Sequence, residues 1–308
     1  MQNKNINYLY FFLLAAFWGG SFAAIKEAVS VAPPFFGAML RVGLGLFFLV
    51  LLIFCYLKKN ISVPFSVRWR LWITGLFSQG IPFFFLFWGE QHISSGLAGI
   101  LNGTVPIWTT LFSLTSAKTR DVSLLKGIGL SIGLLGIVVI FWPLLNFNFT
   151  PIYLLGTLSV LLMAISYSIG NLLNQHLLSG SKIKLDFYAN IYHQLCASLV
   201  FLTIASLCFE TWPSKAVLLH TPLFWVACIY MGLFSTAIAW IIYYHLIREW
   251  NAVRASAVMY VVPIMAILWD YVFFHNRPRW SEGLGIIIIL LGIVLIQLPK
   301  KRLEVPKA

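Results

Sequence analysis

Ten runs of about twenty mostly apolar residues follow one another with almost nothing between them. They cover residues 8–28, 34–57, 71–90, 95–116, 123–142, 151–173, 186–209, 222–246, 252–274 and 281–298. A helix that crosses a bilayer needs about 20 such residues. The backbone inside a membrane must satisfy its own hydrogen bonds, so each run reads as a spanning helix. No gap between runs is long enough for a soluble domain. The first run is too long for the apolar part of a cleaved leader and lacks a small-residue cleavage site. The chain is 60% hydrophobic and only 10% charged. A water-soluble chain of that composition could not cover its own surface.

The net charge of +12 would suit a nucleic-acid partner if the charges were clustered on a folded domain. They sit instead in the short connections. With the N-terminus in the cytoplasm, sixteen of the 21 Lys and Arg fall on the cytoplasmic side and four outside. That bias predicts both termini in the cytoplasm and makes a nucleic-acid partner unnecessary. Most tryptophans lie near the ends of runs, as an interfacial belt requires. Trp18, Trp108 and Trp240 do not. The four cysteines lie within apolar runs without metal-ligand spacing, and read as small hydrophobes.

The chain contains a repeat. Gly75-Leu76-Phe77-Ser78 recurs as Gly232-Leu233-Phe234-Ser235, and Val105-Pro106 as Val262-Pro263, both at an offset of 157. At an offset of 156, Gly127-x-Gly129 recurs as Gly283-x-Gly285. Leu134-Leu135-Gly136-Ile137-Val138 recurs as Leu290-Leu291-Gly292-Ile293-Val294. Each half then holds five spans, residues 1–148 and 149–308. An odd number inverts the second half relative to the first, an arrangement common in secondary transporters.

These residues resemble the EamA-type transporters of the drug/metabolite transporter superfamily. The first run carries Trp18-Gly19-Gly20-Ser21-Phe22-Ala23-Ala24-Ile25-Lys26, similar to that family's opening motif. Pro34 followed by Arg41, Pro106 and Pro263 in the fourth and ninth runs, and the repeated glycine pattern extend the similarity along nearly the whole chain. The resemblance implies an all-α membrane protein of ten transmembrane helices in two inverted five-helix repeats, sited in the cell's inner membrane. It implies export or exchange of small metabolites such as amino acids. Where relatives carry a Gly-Glu pair after the fourth and ninth spans, this chain has Lys118 and Phe274.

Residues that interrupt the apolar pattern are the candidates for function. A charge within a span faces a cavity or a partner. Arg41, two turns into the second run, could hold a carboxylate or phosphate by two points, or form a structural ion pair. Asn102-Gly103-Thr104-Val105-Pro106 is a polar, breakable stretch whose repeat equivalent is Met259-Tyr260-Val261-Val262-Pro263. Proline frees a helical carbonyl, and such backbone needs protein or a cavity around it. Trp18, Arg41, Asn102, Trp108, Tyr243 and Tyr260 are therefore the expected substrate-binding residues, set against plain packing for the aromatics. Glu90, His193 and Asp270 are the coupling or gating candidates, set against solvated span ends and a packing histidine. Protons are the candidate coupling ion.

The chain lacks GxSxG, HExxH, GxGxxG and paired span carboxylates, so an enzyme is a poor reading. It also lacks an ATP-binding loop. No cofactor or metal is called for. The expected partners are a small-molecule substrate and the lipid bilayer. A multidrug exporter and a channel or lipid scramblase are the alternatives to a metabolite transporter.

Overall fold

The computed structural model describes residues 4–93, 95–114, 124–144, 150–179, 185–214, 218–274 and 279–297. Every regular element among them is helical. In chain order the long elements are α1 (Asn5–Val31), α2 (Pro34–Leu57), α3 (Phe65–Glu90), α4 (Leu97–Leu114), α5 (Leu124–Ile140), α6 (Pro151–Leu178), α7 (Phe187–Phe209), α8 (Pro222–Trp250), α9 (Ala252–Trp269) and α10 (Trp280–Ile296). Eight of these are long and apolar enough to cross a membrane; α5 and α10 are shorter apolar helices. Several outrun the apolar stretches read from sequence. A helix carries on past the apolar layer through residues such as Arg68 and Arg70 in α3, or Asn174 and Gln175 in α6.

The outward faces are apolar. Phe47, Leu135, Leu155, Leu207, Leu223, Ile287 and Leu291 are all more than half exposed. The buried faces hold the polar residues instead, among them Arg41, Glu90, Asn171, Asn190 and Gln194. That inversion of the water-soluble pattern suits a bilayer as solvent.

Helix starts and breaks follow the local sequence. Pro34, Pro151 and Pro222 stand at first-turn positions, where a missing N–H costs nothing. The free N–H groups of Phe35 and Phe36 at the start of α2 are both taken by the Glu210 carboxylate, at 2.6 and 2.8 Å. Ser206 also donates to Glu210, at 2.9 Å, so the end of α7 caps the beginning of α2. Glu210→Ala should cost about 1–2 kcal/mol, read as a lower thermal-unfolding midpoint in detergent.

Three helices are interrupted where the sequence permits it. α1 breaks at Gly20 and α4 at Gly103–Thr104, the latter within the stretch expected to be breakable. α9 runs through Pro263 and breaks earlier, at Ala257. Two further irregularities lie inside α3 and α8. Leu76–Gly80 and Leu233–Ile238 are π-helical, and each begins directly after the glycine of the repeated Gly-Leu-Phe-Ser motif. α3 has Pro82 shortly after its wide turn and α8 has Ala239 at the equivalent place. Proline is therefore not what makes the turn.

The packing follows a reciprocal pattern. α3 packs on α6, and α8 on the second half of α1. α4 packs on α6, and α9 on α1. α7 packs on α3, and α2 on α8. α2 and α7 pack on each other, as do α5 and α10. The α5–α10 contact is backbone on backbone. A Cβ built on Gly129 would lie 2.8 Å from the carbonyl oxygen of Gly292, and one on Gly136 would lie 2.8 Å from that of Gly285. Rising number on one helix meets falling number on the other, so the two run antiparallel. Small residues are what allow such close approach.

Candidate functional site

A small cavity lies where α1, α2, α3, α4, α6 and α9 meet. Trp18, Ser21, Arg41, Phe83, Asn102 and Tyr167 are among its walls. Its volume is about 30 Å³, room for water but not for a metabolite. Substrate-sized space at this position requires the surrounding helices to part.

Arg41 is the centre of the site. It is only 2% exposed. Its Nε donates to Thr236 Oγ1 at 3.2 Å and its Nη2 to the Ser235 carbonyl at 3.2 Å. Its guanidinium lies 4.2 Å from the centre of the Phe83 ring, which stabilises a cation electrostatically. The Ser235 carbonyl also accepts from Trp18 Nε1 at 3.1 Å. Ser235 and Thr236 belong to the π-helical turn of α8, a feature frequent at functional sites. Two of the five guanidinium donors are thus held by α8. The ion pairs among the described residues are Lys59–Asp186 and Arg248–Glu249; neither includes Arg41.

Asn102 lines the same cavity and its Nδ2 meets Met259 Sδ at 3.4 Å. These two residues are equivalents at the repeat offset of 157, so the two breakable stretches touch each other. Tyr243 is fully buried, with its ring 5.0 Å from Trp18 and 5.7 Å from Trp240. Its hydroxyl has no hydrogen-bond partner among the described residues.

Glu90 ends α3, fully buried. Arg41 and Lys26 are the cations near enough to act on it. Lys26 Nζ donates to the Glu90 backbone carbonyl at 3.4 Å. Neither carboxylate oxygen has a hydrogen-bond partner among the described residues.

The structure places other expected residues elsewhere. Tyr260 is fully buried and its hydroxyl donates to the Leu130 carbonyl at 2.8 Å. Its ring faces Gly133, so it ties α9 to α5. Trp108 is half-buried beside Phe112, 6.1 Å between ring centres. His193 sets Nε2 3.1 Å from the Ile61 carbonyl. Asp270 lies on the helical segment Val258–Phe274, and its side chain is outside the described residues, as are Lys118 and the side chain of Phe274.

A second polar cluster, centred on Gln194, escaped the sequence reading. Gln194 Nε2 donates to Asn174 Oδ1 at 2.8 Å and to Asn190 Oδ1 at 2.9 Å. Its Oε1 accepts from Tyr244 at 2.7 Å and from Ser78 at 2.8 Å. All five residues are fully buried. Ser78 is the repeat equivalent of Ser235, so Arg41 of α2 and Gln194 of α7 address matching serines on matching wide turns. The available signal was the i, i+4 spacing of Asn190 and Gln194 within an apolar run; it pointed to the neighbouring His193 only by proximity.

Apolar outer faces, a buried polar interior and a small cavity around an arginine mark a multi-pass helical membrane protein. The chain belongs to the EamA-like transporter family, which matches residues 5–142 and 154–298. It is 27% identical over 280 residues to the uncharacterized transporter YoaV of Bacillus subtilis strain 168, covering 90% of this chain and 92% of that protein. It is 28% identical over 294 residues to the uncharacterized inner membrane transporter YedA of Escherichia coli K12, covering 94% and 90%. A solved crystal structure superposes with a TM-score of 0.76 at 20% identity, covering 95% of this chain and 98% of the other. The protein is a membrane transporter of the drug/metabolite type, acting on small-molecule substrates within the bilayer.

Proposed function

We propose that this transporter works by alternating access around the Arg41 cavity and exports or exchanges a small amphipathic metabolite with a carboxylate, such as an amino acid. The observation that carries this reading is Arg41 itself. It lines a small cavity, is 2% exposed, and binds a carbonyl, a hydroxyl and an aromatic face. A buried cation costs several kcal/mol unless its charge is met. A substrate carboxylate meets it, with guanidinium donors to spare for two-point binding. Trp18, backed by Tyr243, gives it an aromatic wall, and Asn102 adds an amide. Trp108 and Tyr260 act at longer range, by holding the α4 and α9 segments that move. Glu90 is the leading coupling residue. His193 and Asp270 are gating candidates at other points of the fold.

In this reading α5 and α10 also cross the bilayer, giving ten spans in two inverted halves, residues 1–148 and 149–308. The reciprocal contacts support it. Gly129 and Gly285 are repeat equivalents, as are Gly136 and Gly292. Gly129 meets Gly292 while Gly136 meets Gly285. Such crossed pairing of equivalents is the signature of a two-fold axis. The Lys and Arg bias places both termini in the cytoplasm, and the inner membrane is the proposed site.

Counterflow in proteoliposomes tests the function. Vesicles loaded with a mixture of the twenty amino acids should accumulate at least one labelled amino acid, with saturation and dependence on the internal load. Saturable flux of cationic drugs in its place would favour a multidrug exporter. Flux that ignores the internal load would favour a channel or scramblase. Either result overturns the proposal.

A further inference from the structure

We infer that the groove between the beginnings of α2 and α6 and the ends of α3 and α7 seats one bilayer phospholipid, with an acyl chain along its apolar walls and a headgroup ammonium at the Glu210 carboxylate. Phosphatidylethanolamine has that chemistry. The groove shares no lining residue with the Arg41 cavity, and the identity of the transported solute does not enter.

The shape suits an amphipathic chain. The groove encloses about 570 Å³, against about 30 Å³ beside Arg41. Leu155, Leu158 and Leu162 lie on one face of α6 and form one wall. They are 52%, 50% and 37% exposed and span about 10 Å along the helix axis. Phe35 and Phe84 line the groove too, stacked with 4.2 Å between ring centres, and Phe209 lies 6.3 Å from Phe35. At this depth of a spanning bundle the surroundings are hydrocarbon. A gap against such walls forfeits dispersion contacts, and a flexible acyl chain fills an irregular groove. Ser159, a polar residue deeper in the groove, is engaged with the Phe85 carbonyl at 2.8 Å. The other polar residues gather at one end. Gln91 and Glu210 each stand one residue past the ends of α3 and α7, at the level where headgroups begin. Trp88 lines the groove near that end, as an interfacial aromatic does. The order from polar mouth to apolar interior is that of a phospholipid.

Charge selects the headgroup. The Glu210 carboxylate accepts from the Phe35 and Phe36 amides at 2.6 and 2.8 Å, and from Ser206 at 2.9 Å. A carboxylate offers about four lone-pair sites, so room for another donor remains. All three donors are neutral, and the α2 N-terminus supplies only a partial positive charge. The ion pairs among the described residues do not include Glu210. Burial pushes its carboxyl above the usual range even though the three hydrogen bonds pull it down. An ammonium at the groove mouth supplies the cation and donates to the remaining site. A quaternary ammonium has no N–H to donate, and an anionic headgroup is repelled.

The test uses the full chain, reconstituted in vesicles of equal parts phosphatidylethanolamine, phosphatidylcholine and phosphatidylglycerol with identical acyl chains. Protein extracted in mild detergent is then weighed by native mass spectrometry. One phospholipid per protein should remain, with phosphatidylethanolamine about tenfold over either of the others. Leu158→Trp, which fills the groove from a half-exposed position, should lose that lipid while eluting as wild type does. Glu210→Gln keeps the side-chain shape and an acceptor for the α2 amides. It should retain a lipid with the preference reduced to about twofold or less. Glycerophosphoethanolamine, which has the headgroup without the chains, should not displace the bound lipid. Equal retention of the three lipids by wild type, or a preference that survives in Glu210→Gln, overturns the headgroup assignment. Undiminished retention in Leu158→Trp, or displacement by the chainless headgroup, overturns the groove as the seat. Should Glu210→Gln fail to fold, the wild-type preference and Leu158→Trp decide between these outcomes.

Discussion

Arg41→Met should weaken saturable counterflow about ten- to hundredfold while leaving the fold intact. The two outcomes separate because they depend on different interactions. A hydrogen bond to a charged group contributes about 1.5–3 kcal/mol, so loss of the clamp should lower kcat/KM for a carboxylate substrate about ten- to hundredfold. Arg41 has no ion-pair partner among the described residues to be left stranded, and its removal lifts the cost of a buried charge. The thermal-unfolding midpoint of Arg41→Met in detergent should therefore hold or rise. A residue with a purely structural role would behave in the opposite way, losing stability first. Arg41→Lys sharpens the test. An ammonium keeps the charge but cannot bond Thr236 and the Ser235 carbonyl while presenting a planar fork to substrate. If Arg41→Lys transports with unchanged apparent affinity, the guanidinium is not a two-point clamp.

The second large effect is expected at the α5–α10 contact, and it should differ between glycines two residues apart. Gly136→Val and Gly129→Val each place a side chain against the facing backbone, since even a Cβ would lie within 2.8 Å of a carbonyl oxygen. The helices must separate, and overpacking of this kind costs about 1–3 kcal/mol or more. Gly127 and Gly283 share Gly-x-Gly motifs with the packed Gly129 and Gly285, yet a Cβ at either position meets nothing within 4 Å. Gly127→Val and Gly283→Val should leave yield and melting temperature nearly unchanged. Gly129→Val and Gly136→Val should elute as aggregate or fail to purify. Size-exclusion profiles of the four variants side by side decide the matter. Equal tolerance would mean that α5 and α10 do not pair through these faces.

Much of this architecture is legible in the sequence because hydropathy and proline act locally. The apolar runs, the break at Gly103–Thr104, the burial of Arg41 and the close-packing glycines all follow from residue types in order along the chain. The π-helical turns do not. A wide turn shifts the helical register by a single residue, and the apolar pattern of α3 and α8 absorbs that shift without a visible gap. Only the repetition of Gly-Leu-Phe-Ser marks the place. The Gln194 cluster was hidden for a different reason. Its members come from α3, α6, α7 and α8, and an amide in an apolar run does not reveal which distant amide it will bond. Tyr260 shows the same gap from the other side. Its position beside a breakable stretch pointed to the cavity, but Leu130 of α5 offers its hydroxyl a carbonyl at 2.8 Å.

The distance along the chain between Arg41 and its partners sets an order of events during synthesis. Thr236 and Ser235 lie 195 and 194 residues downstream. At a ribosomal rate of about 5–20 residues per second, the guanidinium waits on the order of 10–40 s for the helix that will satisfy it. Trp18 waits longer, for a carbonyl 217 residues away. Until then the helices already made hold that cation without its α8 partners, and Glu90, the acid that the finished fold sets beside it, is made 49 residues after Arg41. The nascent first half is therefore an unfinished assembly, held in the membrane until the second half delivers α8.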